Sequence, residues 1–157
     1  MKIKLIAIGK TDNSALQALV DDYLKRLSFY IKFELDIIAD IKNVKNLSEA
    51  QQKEKEGELI LSKITPFDHL ILLDENGKSF SSVSFSEELQ KKMNAGIKTL
   101  VFVIGGPYGF SDQVYAKANG KISLSQMTFS HQMVRLFFIE QVYRGFTILK
   151  NEPYHHQ

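Results

Sequence analysis

Short apolar runs alternate with longer amphipathic stretches along the whole chain. Lys2 to Ile8 (KIKLIAI) reads as a first strand. From about Ala15 to Tyr30, Leu16, Leu19, Val20, Tyr23, Leu24 and Leu27 recur at the helical period and mark one buried face. Phe33 to Ile38 predicts a second strand. Ser48 and Gln51 have capping-box spacing, opening a helix that runs to about Ile64 and is stopped by Pro66. The interleaved acids and bases in its middle, QQKEKEGE, predict a solvated face. His69 to Leu73 (HLILL) and Thr99 to Ile104 (TLVFVI) are unbroken apolar runs, as expected of strands covered on both faces. Between them, Ser84 and Glu87 form a second capping-box pattern for a helix to about Asn94, with Gly96 as its C-terminal stop. A short helix is expected from near Ser111 to Asn119-Gly120, and a last short strand at Ile122 to Leu124. A long helix spans His131 to about Leu149, followed by the tail NEPYHHQ.

Strands that alternate with helices predict a doubly wound, mostly parallel α/β sheet with helices on both faces. Such sheets bind ligands at the carboxyl ends of their strands, which directs attention to three loops. The loop after Leu73, DENGKS, contains Gly77-Lys78-Ser79, the tail of a phosphate-loop motif. The place of that motif's first glycine is taken by Leu72, so a polar turn is expected instead. Gly105-Gly106-Pro107-Tyr108-Gly109 follows TLVFVI directly; its glycines allow close backbone approach to a ligand, but their spacing is not that of a dinucleotide site. Leu124-Ser125-Gln126-Met127-Thr128-Phe129 mixes small hydroxyls with large apolar groups. It suits either a pocket wall for a purine and a thioether or a loop tucked under the core.

The chain has 157 residues, enough for one domain with a real core. Its net charge of +2, from 20 basic and 18 acidic side chains, is too balanced to announce a nucleic-acid binder by itself. The absence of cysteine excludes disulfides, thiolate metal sites and cysteine nucleophiles, and fits a reducing compartment. The N-terminal apolar run is too short for a signal peptide, and Arg135, Glu140 and Arg144 interrupt the longest apolar stretch. A cytoplasmic protein without a membrane partner is expected. The last helix is apolar most of the way round. Val134, Phe138, Val142, Phe146 and Leu149 form one stripe, and Met133, Phe137 and Ile148 another. One side can rest on the sheet; the other needs a further helix of the chain or the same helix of a second subunit.

Read together, KIKLIAIGK, DDYLKRL, LLDENGK, VIGGPYGFS, ISLSQMTFSHQMVR, IEQVYRGFTI and NEPYH resemble, in order and spacing, the SPOUT (α/β-knot) methyltransferases. More closely, the chain resembles the small bacterial family of pseudouridine N3-methyltransferases of the large ribosomal subunit. The set IGGPxG, LSxxTxxHxxxR and a terminal PYH carries the specificity, and the resemblance covers nearly all of residues 1–157 as a single SPOUT domain.

The resemblance implies a C-terminal deep trefoil knot, which patterning would never suggest because knots are nearly absent among folds. It implies S-adenosylmethionine as cofactor, 23S ribosomal RNA within the assembled ribosome as substrate, a homodimer, and no metal. Carried over by position, Leu73, Gly105, Leu124, Ser125, Gln126, Met127, Thr128 and Phe129 would contact the cofactor. Arg144, Tyr154 and His155 would act on the substrate side, with His131 and Arg135 of the HxxxR pattern as further candidates. Tyr108 in the GGPxG loop and His156 near the end depart from the family pattern. The residue types suit the chemistry. An arginine can stabilise the anion developing on a base, a histidine can accept a proton near neutrality, and a tyrosine can stack or donate a hydrogen bond. Two alternatives stay on the same scaffold: a non-catalytic RNA-binding ribosome factor and a tRNA methyltransferase. A nucleotide-dependent enzyme of small metabolites would want a phosphate motif, and none is found.

Overall fold

The alternation is present from end to end: β1 (Lys2–Ile8), α1 (Ser14–Leu27), β2 (Lys32–Ile38), α2 (Glu49–Leu61), β3 (His69–Ser79), α3 (Ser82–Asn94), β4 (Thr99–Ile104), α4 (Asp112–Lys117), β5 (Gly120–Ser123) and α5 (His131–Leu149). The structure, a computed structural model, describes residues 1–42 and 44–156; Gln157, the last residue of the expected tail, lies outside the described residues. The five strands form one sheet in the order β2-β1-β4-β3-β5. All four strand pairings are parallel, as the α/β reading requires. Both faces of the sheet are covered at its centre, which is why β4 and the first half of β3 are apolar almost throughout. Ile3, Leu5, Leu100 and Phe102 pack with residues of α1, α3 and α5, while Ile6, Leu72, Val101 and Val103 pack under Ile60 of α2 and Val114 of α4.

Short polar side chains start the helices. The Ser48–Gln51 capping box is formed in both directions, at 3.0 and 3.2 Å. Asn13 and Ser130 cap α1 and α5 by accepting the N–H of Leu16 and Met133, at 3.0 and 3.2 Å. The third helix begins earlier than the Ser84–Glu87 pattern suggested. Ser81 is its cap, accepting the Ser84 N–H at 3.1 Å, because the serine-rich run offers the same chemistry three residues upstream. At the other end of α5, Asn151 takes a positive φ of 55°, and the Glu152 N–H bonds Thr147 O at 2.9 Å. This left-handed stop, tolerated by asparagine, turns the tail back toward α1.

Two sequence expectations are corrected. DENGKS is not a free turn: β3 shifts register after Leu73 and continues, so that Lys78 and Ser79 pair with Ile122 and Ser123. Gly77 permits the crossing, since a Cβ there would lie 2.6 Å from Ile122 N and 2.7 Å from Lys121 C. Second, the polar run QQKEKEGE is not wholly solvated. Glu56 is only 3% exposed and Gly57 is buried, because this part of α2 lies against the loop between β4 and α4. Among the described residues no helix is long and apolar enough to cross a membrane.

Candidate functional site

The register shift within β3 (residues 73–76) and the loops after β4 and β5 meet at the carboxyl end of the sheet and enclose a cavity of about 480 Å³, within the range of small-molecule sites. Leu73, Gly105, Leu124, Ser125, Met127, Thr128 and Phe129 all line it. Gln126, expected beside them, does not: it is exposed on the outer side of the loop. Tyr108, set aside in the sequence as a departure from pattern, lines the cavity as well, and so does His131 at the start of α5.

Local hydrogen bonds shape each wall. Gly109, at φ 78°, donates its N–H to Gly106 O at 3.1 Å and closes the glycine turn. Ser125 Oγ accepts the Met127 N–H at 2.9 Å, and Ser123 Oγ donates to Ser125 O at 3.0 Å, so the hydroxyls shape the third loop. Asp74 accepts the Asn76 N–H at 2.8 Å and the Tyr115 hydroxyl at 2.5 Å. Burial and then Asp74 push the Tyr115 pKa up to about 12, so its hydroxyl stays a donor at neutral pH. The formal charges lining the cavity are the acids Asp74 and Glu75, without lysine or arginine. A cavity of this size with glycine-lined backbone and an acidic rim fits a nucleoside carrying a positive charge. Among the described residues no group of three or more acidic, histidine or cysteine side chains could hold a metal.

Arg144, Tyr154 and His155 form a second cluster, and none of them lines the cavity. Arg144 donates from Nε and Nη2 to Glu140 Oε1, at 3.0 and 2.7 Å, one turn back along α5. Tyr154 donates to the same oxygen at 3.1 Å, and Gln141 donates to Glu140 Oε2 at 2.7 Å. Arg144 also lies over the Tyr154 ring at 4.7 Å, and its Nη1 is 3.3 Å from His155 Nδ1. Burial works against the Arg144 charge, but the Glu140 hydrogen bond and charge outweigh it and raise its pKa. Burial, the Tyr23 contact and Glu140 likewise push the Tyr154 phenol upward, which keeps it neutral. A guanidinium has only donors, so His155 Nδ1 accepts from it and the neutral ring carries its hydrogen on Nε2. Glu140, which organises this cluster, was missed in the sequence, although its spacing four residues before Arg144 on a helix was visible there.

Arg135 is placed where RNA cannot meet it. It is 1% exposed and ties α5 to the end of β1, donating to Ile8 O at 2.6 Å and Thr11 Oγ1 at 3.0 Å. Its position in the HxxxR pattern is thus explained by architecture, while His131 in the same pattern faces the cavity.

The comparisons with known proteins match the chain over almost its full length. A family model described as "Predicted SPOUT methyltransferase" covers residues 1–155. A protein of Flavobacterium psychrophilum called "Ribosomal RNA large subunit methyltransferase H" is 87% identical over 157 residues, the whole of both chains. Proteins of the same name from Flavobacterium johnsoniae and Porphyromonas gingivalis are 82% and 53% identical, again over the whole of both chains.

Proposed function

The chain belongs to the SPOUT methyltransferase family, and from that premise we propose that it transfers the methyl group of S-adenosylmethionine to N3 of a pseudouridine in large-subunit ribosomal RNA. The observation that carries this reading is the cavity at the strand ends, whose walls hold the residues that the family pattern assigns to the cofactor. Leu73, Gly105 and the 124–129 loop, Gln126 apart, would hold the adenosyl group largely through backbone. The acidic rim of Asp74 and Glu75 suits its positive charge. Bound there, the cofactor supplies an electrophilic methyl group on sulfur. Family membership brings the trefoil knot with it, and the 1–157 chain acts as one domain.

The chain's own residues must then place the base and handle one proton, because N3 loses its hydrogen as it gains the methyl. Arg144 stabilises the negative charge that develops on the base carbonyls. Tyr154, kept neutral, orients Arg144 and offers its ring to a base. In the free chain His155 Nδ1 is engaged by Arg144. It becomes a proton acceptor when the base takes over the guanidinium.

The two clusters are too far apart to act within one subunit. Arg144 follows His131 by thirteen residues on one helix, about 20 Å along its axis. Met133, Phe137, Glu140 and Arg144 recur at helical spacing on one stripe of α5, and Met133 and Phe137 are exposed. Phe137 packs at a tilt against Phe129 of the cavity wall, ring centroids 5.0 Å apart. A second copy packed antiparallel on this stripe covers the aromatic patch and brings its Arg144 and tail to the cavity. The working unit is therefore a homodimer with shared sites. The substrate in this reading is the assembled ribosome, recognised by shape.

The test is transfer of labelled methyl from S-adenosylmethionine to ribosomes lacking the modification, followed by mapping of the labelled nucleotide. Label on one pseudouridine of the large-subunit RNA is the expected result. Cofactor binding without transfer would redirect the search to another RNA, a tRNA first. No cofactor binding at all would leave the non-catalytic ribosome factor as the better reading.

A further inference from the structure

Behind the glycine wall of the cavity lies a carboxyl group that the reaction described above does not use. Glu56 of α2 is 3% exposed. Gln52 donates to its Oε1 at 2.8 Å, while Oε2 is buried without a hydrogen-bond partner among the described residues. Glu56 presses on Gly106: a Cβ on that residue would collide with the carboxyl group, whose Cδ would be 2.6 Å away. A Cβ on Gly57 would in turn collide with the Ser111 side chain. These two close approaches lock α2 onto the 105–111 loop. They leave Oε2 one backbone thickness behind a residue that lines the cavity. Buried polar atoms left unpaired are rare, and each calls for a physical reason, a functional charge among them.

We infer that Glu56 is the buried counter-charge of this cavity, with a carboxylate behind Gly106 that shifts binding toward the cationic methyl donor and away from its neutral demethylated product. The inference rests on reading the cavity as the S-adenosylmethionine site. The donor carries one more positive charge than S-adenosylhomocysteine, located at the sulfur that loses the methyl, so a fixed negative charge nearby separates the two. Asp74 on the rim serves this less well, because both its oxygens are already engaged and it is half-exposed to screening solvent. Glu56 is shielded, and a charge in a poorly polarisable interior reaches further.

The groups facing Glu56 set its ionisation. Burial, the largest influence, raises its pKa, and the charge of Asp40 after β2 acts in the same direction. Gln52 on its own helix and His131 at the start of α5 lower it. A cation in the cavity favours the ionised form, so donor binding and loss of the Glu56 proton reinforce one another.

The experiment is calorimetric titration of the whole protein with S-adenosylmethionine and with S-adenosylhomocysteine, for the wild type and Glu56→Gln. The glutamine keeps the shape and removes the charge. Donor affinity is expected to fall about ten-fold with product affinity unchanged, the scale of one partly screened charge. Equal weakening of both ligands, as a purely structural role would give, overturns the inference, and so does an unchanged ratio. A wild type that binds neither ligand defeats the reading of the cavity itself and takes this inference with it. Should Glu56→Gln not fold, the same two titrations are made on Glu56→Asp, which keeps the charge but draws it back by one methylene. Weakened donor binding with product affinity unchanged supports the counter-charge, and equal weakening of both ligands or an unchanged ratio overturns it.

Discussion

The hydroxyls of Tyr154 and Tyr23 lie 3.0 Å apart although 131 positions separate them in the chain. This contact folds the C-terminal tail onto α1 of its own subunit. Tyr30 reinforces it by donating to Glu152, and Tyr143 packs edge-on against Tyr154 with ring centroids 4.8 Å apart. The tail is thus held by a belt of tyrosines, and Arg144 and His155 are positioned before any substrate arrives.

Removing one hydroxyl tests this belt. Tyr154→Phe keeps the ring against Tyr143 and Arg144 but loses the hydrogen bonds to Tyr23 and Glu140. Stability should fall by about 2–4 kcal/mol, since two hydrogen bonds are lost and one of them goes to a carboxylate. Amide exchange in the residues after Asn151 should quicken while α5 stays protected. Unchanged exchange there would show that apolar packing alone holds the tail.

Arg144→Ala should lower the rate of methyl transfer by about a hundred-fold or more, as loss of a group that stabilises developing charge does. Affinity for S-adenosylmethionine should stay near that of the wild type, because Arg144 does not line the cavity of its own subunit and, in the proposed dimer, meets the base rather than the cofactor. Arg144→Lys should recover only part of the rate, since an ammonium cannot reproduce the two bonds to Glu140. Single-turnover transfer and calorimetry separate the two effects. Full transfer by Arg144→Ala would remove Arg144 from the chemistry.

The sheet, its helices and the bounds of β1, β4 and α5 were legible because apolar periodicity and capping residues are local signals. The family motif named the loop residues expected at the cofactor, and the cavity gathers all of them except Gln126. Other features depend on contacts distant in sequence. The continuation of β3 through Gly77 needs the backbone of β5, and the burial of Glu56 inside a charged run needs the loop around Gly106. Arg135 illustrates the converse: its motif suggested a ligand, and its burial beneath the end of β1 shows an architectural tie. Gly57 in mid-helix was the one sequence sign of close approach in the polar run.

His69 should make the fold sensitive to mild acid. Its Nε2 is buried without a partner among the described residues, and burial first, then the Lys92 charge, lower its pKa below the ordinary value of 6.5, against a smaller opposing effect of Glu88. The unfolded chain therefore binds this proton more readily than the folded one. The contribution is fully present above pH 6.5 and is lost as pH falls through the folded pKa. In His69→Gln, denaturant unfolding at pH 7 and pH 5 should show a smaller difference than in the wild type. An equal difference would assign the acid sensitivity elsewhere.

The proposed sharing of sites between two copies of the chain makes the sharpest quantitative prediction. Gly105→Val should block the cavity, because a Cβ there already sits 3.1 Å from the Phe110 ring, and it leaves Arg144 intact. Arg144→Ala leaves the cavity intact. Each variant alone should be nearly inactive. Refolded together in equal amounts, half of the dimers pair one variant with the other, and each such dimer contains one site with both a sound cavity and a sound arginine. About one quarter of wild-type activity should therefore return. A site built within one subunit would leave the mixture as inactive as its components, because every subunit then carries a lesion in its own site. The regained fraction, measured as labelled methyl transferred to ribosomes, thus reads directly whether α5 of one subunit delivers its arginine to the cavity of the other.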